Sequence, residues 1–376
     1  MMIDEGREKK PKDSAIVTFL IGNGFDVGLG LKTRYVDFVA TYLKQPSKTD
    51  VIVKLKKKIK RDIDLWGDAE LAFGKLPFSK FGGDPHLVVK ECIADFSNAL
   101  AEYLHNEETR FHSPDEKLKT IFSHKLFSYY QALGEYAQRN ELGRLKRFHE
   151  LKINIINFNY TRTIDQMLIR SETTTFPDWD PVHVQVNPVL HVHGDLSTKY
   201  SHLFGVNDIS QVEDSALEEK TKYLLVKPTI DRLAGCQLEN AAKMMIDESD
   251  TVVIFGMSFG ATDKIWWDYL LARMRNGFDI RLCLVPYLDC NCGASSLSEE
   301  AEWAGMERDL FYAAAGVKND FLNRTEGLDR SIAVFLRGPY HDPDGHQVFC
   351  DPFQLGWIGK KLVAAAPVST TLQSLT

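Results

Sequence analysis

Two histidines in the stretch LHVHGDLS have the residue type and the spacing for catalysis or for metal binding. His191 and His193 are two residues apart, so in a β-strand their side chains share one face. Both imidazoles together with Asp195 would suit a metal-dependent hydrolase. Alternatively, His193 at the end of the strand acts as a lone general base. A histidine on a strand can also be purely structural, and the sequence leaves these interpretations open.

A second polar group follows the apolar run KINIINF, where the chain continues as NYTRT. Ligands of open α/β sheets bind beyond the carboxyl ends of the strands. Asn159 at such an end offers a donor and an acceptor to a sugar hydroxyl, and Tyr160 is the next candidate contact. The structural alternative is an Asx turn formed by Asn159.

A glycine-rich loop follows the first apolar run in FLIGNGFDVGLG. Gly22 and Gly24 allow the backbone to approach a ligand, and the N–H groups of a following helix favour an anion. The third glycine of the usual dinucleotide spacing is replaced by Val27. Asp26 repels phosphate, but it can accept a hydrogen bond from a ribose hydroxyl or stabilise a positive sugar. The structural alternative makes Asp26 the N-cap of the helix.

A second strand, turn and helix are predicted in TVVIFGMSFGATDKIWW. Gly256 and Ser258 can offer a backbone N–H and a hydroxyl to a ligand. Asp263 is placed to open the following helix or to contact the ligand.

These groups need a sheet to bring them together. Short β-branched runs recur along the chain, and several are unbroken, which is typical of strands buried on both faces of a parallel sheet. Residues 36–150 show helical spacing instead. We therefore predict an α/β fold: a Rossmann-like, mainly parallel sheet with a large helical insertion after the first strand and a small C-terminal appendage. The predicted boundaries are a disordered segment 1–14, an α/β core of 15–35 and 151–290, the insertion 36–150, an α/β appendage 291–365 and a disordered tail 366–376.

Composition limits the function classes. The net charge of −7 argues against a protein that mainly coats nucleic acid. The six cysteines do not form the paired spacing of a zinc ribbon. The sequence shows no secretory signal and no apolar run of roughly 18 residues, so we predict a cytoplasmic protein without a membrane contact.

In their order along the chain, these motifs resemble the bacteriophage abortive infection AbiH family. The resemblance covers about residues 15–290. It is carried by IGNGFDVGLGLKTRYVDF (21–38), LWGDAEL (65–71), FNYT (158–161), HVHG (191–194) and FGMSFGATD (255–263). These motifs also bring Thr33, Glu70 and His191 into the candidate site.

More distantly, the chain is similar to sirtuin-like domains, which have a Rossmann-like sheet and bind NAD. That similarity runs through residues 22–26, 30–32, 159, 193–194 and 256–258. It implies that Asn159 and His193 act at the nicotinamide ribose. It also implies cofactor contacts from Gly22, Asn23, Gly24, Phe25, Gly30, Gly194, Gly256 and Ser258.

The chain departs from the sirtuin pattern at several positions. Asp26 replaces a small hydroxyl residue, Lys32 replaces a proline, and Tyr160-Thr161 lacks an aspartate. A four-cysteine zinc module is missing from the sequence, which weighs against protein deacetylation.

The resulting prediction is a phage-defence protein that hydrolyses NAD, or a related nucleotide, at the N-glycosidic bond without a metal. Its catalytic residues would be His193, Asn159 and Asp26. Predicted partners are a nucleotide, a phage-derived trigger or partner protein, and a second copy of the chain in a homo-oligomer. The alternatives are a metal-dependent nuclease or phosphoesterase using His191, His193 and Asp195, and a non-enzymatic nucleotide sensor.

Overall fold

The computed structural model describes residues 13–175, 181–197, 202–275, 280–285, 296–317, 331–335, 340–341, 343–344, 347–348, 351–353 and 355–364. Nearly all of the predicted segment 1–14 and the whole predicted tail 366–376 lie outside these residues. So do the cysteines Cys290 and Cys292.

A mainly parallel sheet forms the centre of the molecule. Its strands are β1 (Ser14–Ile21), β2 (Glu150–Asn157), β3 (Ser171–Thr174), β4 (Val182–Val186), β5 (Leu190–His191), β6 (Thr251–Phe255), β7 (Arg281–Val285) and β8 (Ile332–Val334). The spatial order is β3-β4-β2-β1-β6-β7-β8. β5 pairs with the last residues of β2, past the point where the pairing of β2 with β4 ends. Among these strands, β3 alone runs antiparallel to its neighbour. The predicted fold class is therefore confirmed.

The strand order reverses direction at β1. The chain moves from β1 outward through β2 and β4, then crosses back to β6 and continues through β7 and β8. This is the order of doubly wound dinucleotide-binding sheets, whose ligands occupy the crevice at the reversal. The register places Ile21 beside both Asn157 and Phe255, so β1, β2 and β6 end at one level.

Helices cover this framework and fill the long connection between β1 and β2. Their bounds are α1 (Gly24–Gly28), α2 (Tyr35–Tyr42), α3 (Asp50–Arg61), α4 (Ala69–Gly74), α5 (Pro85–Glu108), α6 (Glu116–Phe127), α7 (Glu135–Leu145), α8 (Thr163–Met167), α9 (Glu219–Lys222), α10 (Lys227–Ala234), α11 (Leu238–Glu248), α12 (Lys264–Arg275), α13 (Leu297–Ala314) and α14 (Leu355–Leu362). None of these described helices combines the length and the apolar character that a bilayer crossing requires.

The insertion packs its aromatic side chains into a core that it shares with residues 204–226. Phe96 on α5 contacts Phe38, Trp66, Phe73 and Phe204 with ring centroids 5.0–5.4 Å apart. The same cluster continues to Tyr160, just beyond β2. Because its core runs into the segment after β2, the insertion covers the carboxyl end of the sheet and brings α2, α4 and α5 to that edge.

Part of the predicted appendage 291–365 packs onto the main sheet. β8 pairs in parallel with β7 and extends the sheet. Phe353, and Ile358 on α14, belong to the same hydrophobic core as Val17 and Phe19 of β1. The sequence shows β8 as an apolar run, but only the sheet reveals where that run pairs. The short antiparallel pair β9 (Tyr340–His341) and β10 (Gln347–Val348) is separate from the main sheet.

Candidate active site

A cavity of about 700 Å³ opens where β1, β2 and β6 end, beneath the helical insertion. Twelve of the residues predicted from sequence line it: Gly22, Asn23, Gly24, Asp26, Thr33, Glu70, Asn159, Tyr160, His193, Gly256, Ser258 and Asp263. The structure thus brings the glycine loop, two further strand ends and the insertion to one space. Phe25, Gly30, Gly194 and His191 are predicted residues that do not line it.

The glycines of the first loop allow it to pack closely against the end of β6 and the loop that follows it. The N–H of Gly22 donates to the Phe255 carbonyl at 2.8 Å, and that of Gly24 donates to the Gly256 carbonyl at 2.7 Å. A Cβ on Gly256 would lie 2.8 Å from the Gly24 Cα, and Gly256 also has a φ of +62°. The predicted diphosphate cradle does not form from the N–H groups of Gly22 and Gly24, because both already donate to protein carbonyls.

Three residues predicted to contact the cofactor have roles in packing or in backbone conformation instead. Phe25 is fully buried and packs edge-on against Phe122 and Phe255. Gly30 and Gly194 have φ values of +90° and +73° and form turns after α1 and after His193. The sequence identified these positions correctly as special, but the reason is core packing or backbone conformation.

Asp26 joins the glycine loop to the segment after β2. It is fully buried, and its two carboxylate oxygens accept hydrogen bonds of 2.6 Å from the hydroxyls of Thr161 and Thr163. Burial raises the pKa of Asp26 to about 6, against the effect of these two hydrogen bonds. These surroundings favour a positioning role over the predicted contact with a positive sugar. The alternative of an N-cap is wrong, because Asn23 occupies that position of α1.

Asn159 lies where β2 and the glycine loop meet. Its side-chain nitrogen donates to the Gly22 carbonyl at 3.1 Å, and its backbone N–H donates to Asn157 Oδ1 at 3.0 Å. These bonds orient the side-chain amide at the cavity wall, and its carbonyl oxygen accepts no hydrogen bond from the described residues. That oxygen can accept from a ribose hydroxyl or from water.

His193 is 8% exposed and lies between aromatic rings at the cavity wall. Its ring centroid is 5.5 Å from that of Phe158 and 6.2 Å from that of Tyr160. Burial, followed by the positive charge of Lys227, places the pKa of His193 well below its usual value. The imidazole is therefore neutral at physiological pH and is able to accept a proton.

The trio predicted for a metal site is not assembled. β5 ends at His191, so the two histidines do not share a strand face. His191 Nε2 lies 3.0 Å from Asp165, whereas Asp195 lies near Arg162 and accepts from the Ser197 backbone. In the described part of the chain, no group of three or more His, Cys, Asp and Glu side chains is placed to hold a metal.

A buried ion pair forms the wall that the insertion contributes. Glu70 Oε2 on α4 lies 2.6 Å from the Nζ of Lys227 at the start of α10, and the two residues are 5% and 2% exposed. The Tyr160 hydroxyl lies 3.2 Å from Glu70 Oε1 and 2.7 Å from the Leu203 carbonyl. Burial raises the pKa of Glu70, and the Lys227 ammonium opposes this rise.

Sequence reasoning did not find Lys227. Its neighbours, LLVKPT, contain no motif, and its partner Glu70 is 157 residues away. The proline at the first turn of α10 signals a helix start, but not that the preceding lysine is buried.

Two further carboxyl groups belong to this wall. Asp68 caps α4 by accepting from the Leu71 N–H at 3.0 Å, and its other oxygen lies 3.4 Å from the Thr262 hydroxyl. Asp263, at the end of the turn Ala261–Asp263, lines the cavity beside them. Asp68 therefore connects the LWGDAEL motif to the FGMSFGATD motif.

The cavity is acidic. Its lining contains five carboxyl side chains and one cationic side chain, that of Arg34. The carboxyl side chains are those of Asp26, Asp68, Glu70, Asp263 and Glu307. Such a lining favours positive charge and disfavours a polyphosphate.

Comparison with known proteins identifies the family, although no curated protein and no solved structure matches the chain significantly. The family model described as bacteriophage abortive infection AbiH matches residues 18–283. The match includes every motif that meets at the cavity, whereas the sirtuin similarity stays a prediction. The chain therefore belongs to the AbiH family of bacteriophage abortive infection.

Proposed function

We propose that this AbiH protein hydrolyses the N-glycosidic bond of a nucleotide, NAD or a related compound, and that loss of this nucleotide aborts phage infection by halting growth. The observation that carries the proposal is the acidic cavity at the strand reversal, which combines Glu70, Asn159 and a neutral His193.

The charge of the cavity fits the transition state of this reaction. Cleavage of a glycosidic bond develops positive charge on the sugar. A carboxylate held in a cavity of low dielectric stabilises such a charge more strongly than water does. Glu70 takes this role in place of Asp26, because the Lys227 ammonium favours the ionised form of Glu70, whereas burial raises the pKa of Asp26 to about 6 and no cation pairs with it in the described residues.

The remaining groups position water and take up its proton. His193 is neutral and lies at the cavity wall, so it accepts a proton from the attacking water. The free amide oxygen of Asn159 orients that water or a ribose hydroxyl. Tyr160 contacts both Glu70 and His193 and thereby fixes the distance between them.

The test is incubation of the purified protein with NAD and with nucleoside monophosphates, with and without EDTA, while the free base is measured. We expect release of base that survives EDTA and falls about 10²–10⁴-fold in His193→Ala, as expected for loss of a general base. His86→Ala is the matched control, since His86 contacts Thr221 outside the cavity. Binding of a nucleotide that stays intact would instead support the sensor, and loss of activity in EDTA would support the metal-dependent hydrolase.

A further inference from the structure

Asp263 differs from Asp26 and Glu70, two other carboxyl groups of the cavity. Its Oδ1 is buried and has no hydrogen-bond partner in the part of the chain that the structure describes. In contrast, each oxygen of Asp26 and of Glu70 has a partner within 3.2 Å. An unpaired buried carboxyl oxygen is costly for the folded protein unless a ligand completes it.

The charges around Asp263 favour its protonated form. Burial raises the pKa of Asp263 to about 7. That value includes smaller effects of neighbouring charges: the Lys227 ammonium lowers the pKa, and the carboxylates of Glu70 and Asp68 raise it. The Tyr160 hydroxyl is a further titratable group beside Asp263. Two carboxyl groups in one cavity thus differ in environment: Glu70 forms an ion pair with Lys227, whereas Asp263 forms no ion pair with any residue that the structure describes. This division of environments is characteristic of acid and base pairs in catalysis.

N-glycosides of a charged base, such as NAD, and N-glycosides of a neutral nucleobase differ in whether their cleavage needs an acid. Nicotinamide leaves NAD as a neutral molecule when the pyridinium takes up the bonding electrons, so no proton is required. A neutral nucleobase leaves as an anion unless an acid protonates it. The acidic lining also disfavours the diphosphate of NAD more than it disfavours a nucleoside or a monophosphate.

We propose that Asp263 is the general acid for a neutral leaving base, and that the substrate is a nucleoside or nucleoside monophosphate. This inference rests on the proposed function. The bond between C1′ and the base nitrogen breaks, its electron pair goes to the base, and the Asp263 proton goes to the base. The water oxygen bonds to C1′ and its proton goes to His193. Exchange with solvent then returns a proton to Asp263 and removes one from His193.

The experiment compares four compounds: adenosine, AMP, NAD and 4-nitrophenyl β-ribofuranoside, whose leaving group needs no proton. We expect Asp263→Asn to lower release of adenine about 10²–10⁴-fold. Cleavage of the nitrophenyl riboside should stay within about threefold, which also shows that the variant is folded. Asp263→Glu should restore part of the adenine release. Asp268→Asn is the matched control, because Asp268 is an exposed partner of Lys264 on α12.

The pH profile gives an independent readout. Adenine release by the wild type should fall as the pH rises above about 7, and release of nitrophenol should not show this fall. Release of nicotinamide from NAD alone, unchanged in Asp263→Asn, would overturn the general-acid role and leave the proposed function standing. Cleavage of none of the four compounds would overturn the proposed function and the acid role together.

Discussion

Two buried glutamates at opposite edges of the sheet show how similar chemistry serves different purposes. Glu70 lies at the carboxyl edge, where it pairs with Lys227 and lines the cavity. Glu141 on α7 is fully buried at the amino edge and does not line the cavity. It accepts hydrogen bonds from the hydroxyls of Tyr129 and Thr251, and Arg281 lies 3.2 Å away.

The difference lies in what else each carboxylate can contact. Glu141 connects α7 to the first residues of β6 and β7, so its charge is used within the protein. Glu70 faces an open space among other carboxyl groups, and that space has room for a ligand. A buried ion pair is weak support for stability, but removal of one partner from it is costly. Burial and charge therefore do not identify a functional residue unless a cavity adjoins it.

The largest expected effect comes from matched substitutions of the two glutamates. Glu70→Gln should lower nucleotide hydrolysis about 10²–10³-fold, because the transition state loses its negative partner. Glu141→Gln should lower the free energy of unfolding by about 3 kcal/mol, since it leaves the largely buried Arg281, whose side chain is 15% exposed, without its nearest counter-charge. Base release and chemical denaturation of both variants measure the two effects.

The double variant Glu70→Gln with Lys227→Met controls for an unpaired lysine. It should be folded and still inactive. If Glu141→Gln lost as much activity per folded molecule as Glu70→Gln, the distinction between the two edges would fail.

Substitutions of two glycines, one at each edge of the sheet, have the next largest expected effect. Gly256→Ala places a Cβ against Gly24 in a left-handed conformation, and we expect a loss of at least about 2 kcal/mol in unfolding free energy together with lower activity. Gly143→Ala is the control on α7, where a Cβ meets no atom within 4 Å. It should stabilise the protein by about 0.5–1 kcal/mol, because alanine favours a helix interior. Thermal and chemical denaturation measure both, and equal effects would contradict the special packing of the two glycine loops.

The smallest expected effect concerns Asp26. We group it with Glu141, as a carboxyl group whose hydrogen bonds are made within the protein. Its pKa in the folded protein, about 6, exceeds the ordinary value of 3.8, so its contribution to stability is present at low pH and lost as the pH rises through 6. Between pH 5 and pH 7.5 the wild type should lose about 1 kcal/mol of unfolding free energy relative to Asp26→Asn. The difference between the two proteins cancels the titration of other groups. A large loss of activity in Asp26→Asn at constant stability would instead group Asp26 with Glu70, as a carboxyl group that acts on the ligand.

Much of the fold was predictable because it rests on local pattern. The unbroken apolar runs correspond to β1, β2, β6 and β7, and helical spacing in α5 places Val89, Phe96 and Leu100 in the core. β3 and β4 were missed. β4 has only five residues with alternating burial, and β3 is a short, largely polar edge strand, so each gives a weak signal.

Twelve of the candidate residues line one cavity, but their roles were not predictable from the sequence. Each motif ends a strand or opens a turn, and parallel strands place such ends at one edge of the sheet. Roles depend on partners. Asn159, Asp26 and Glu70 are all polar and buried, yet only the contacts of each show which oxygens are already used.

The sequence by itself determined the α/β class, the helical insertion, the family and twelve of the residues at the cavity, because neighbouring residues encode periodicity and motifs. The tertiary structure alone decided that the N–H groups of the glycine loop donate to β6 and its loop, that β8 joins the sheet, and that Lys227 pairs with Glu70. These outcomes depend on contacts between segments far apart in the chain. The free energy of such a contact is set by the packing and the dielectric of the folded interior, which no local pattern contains.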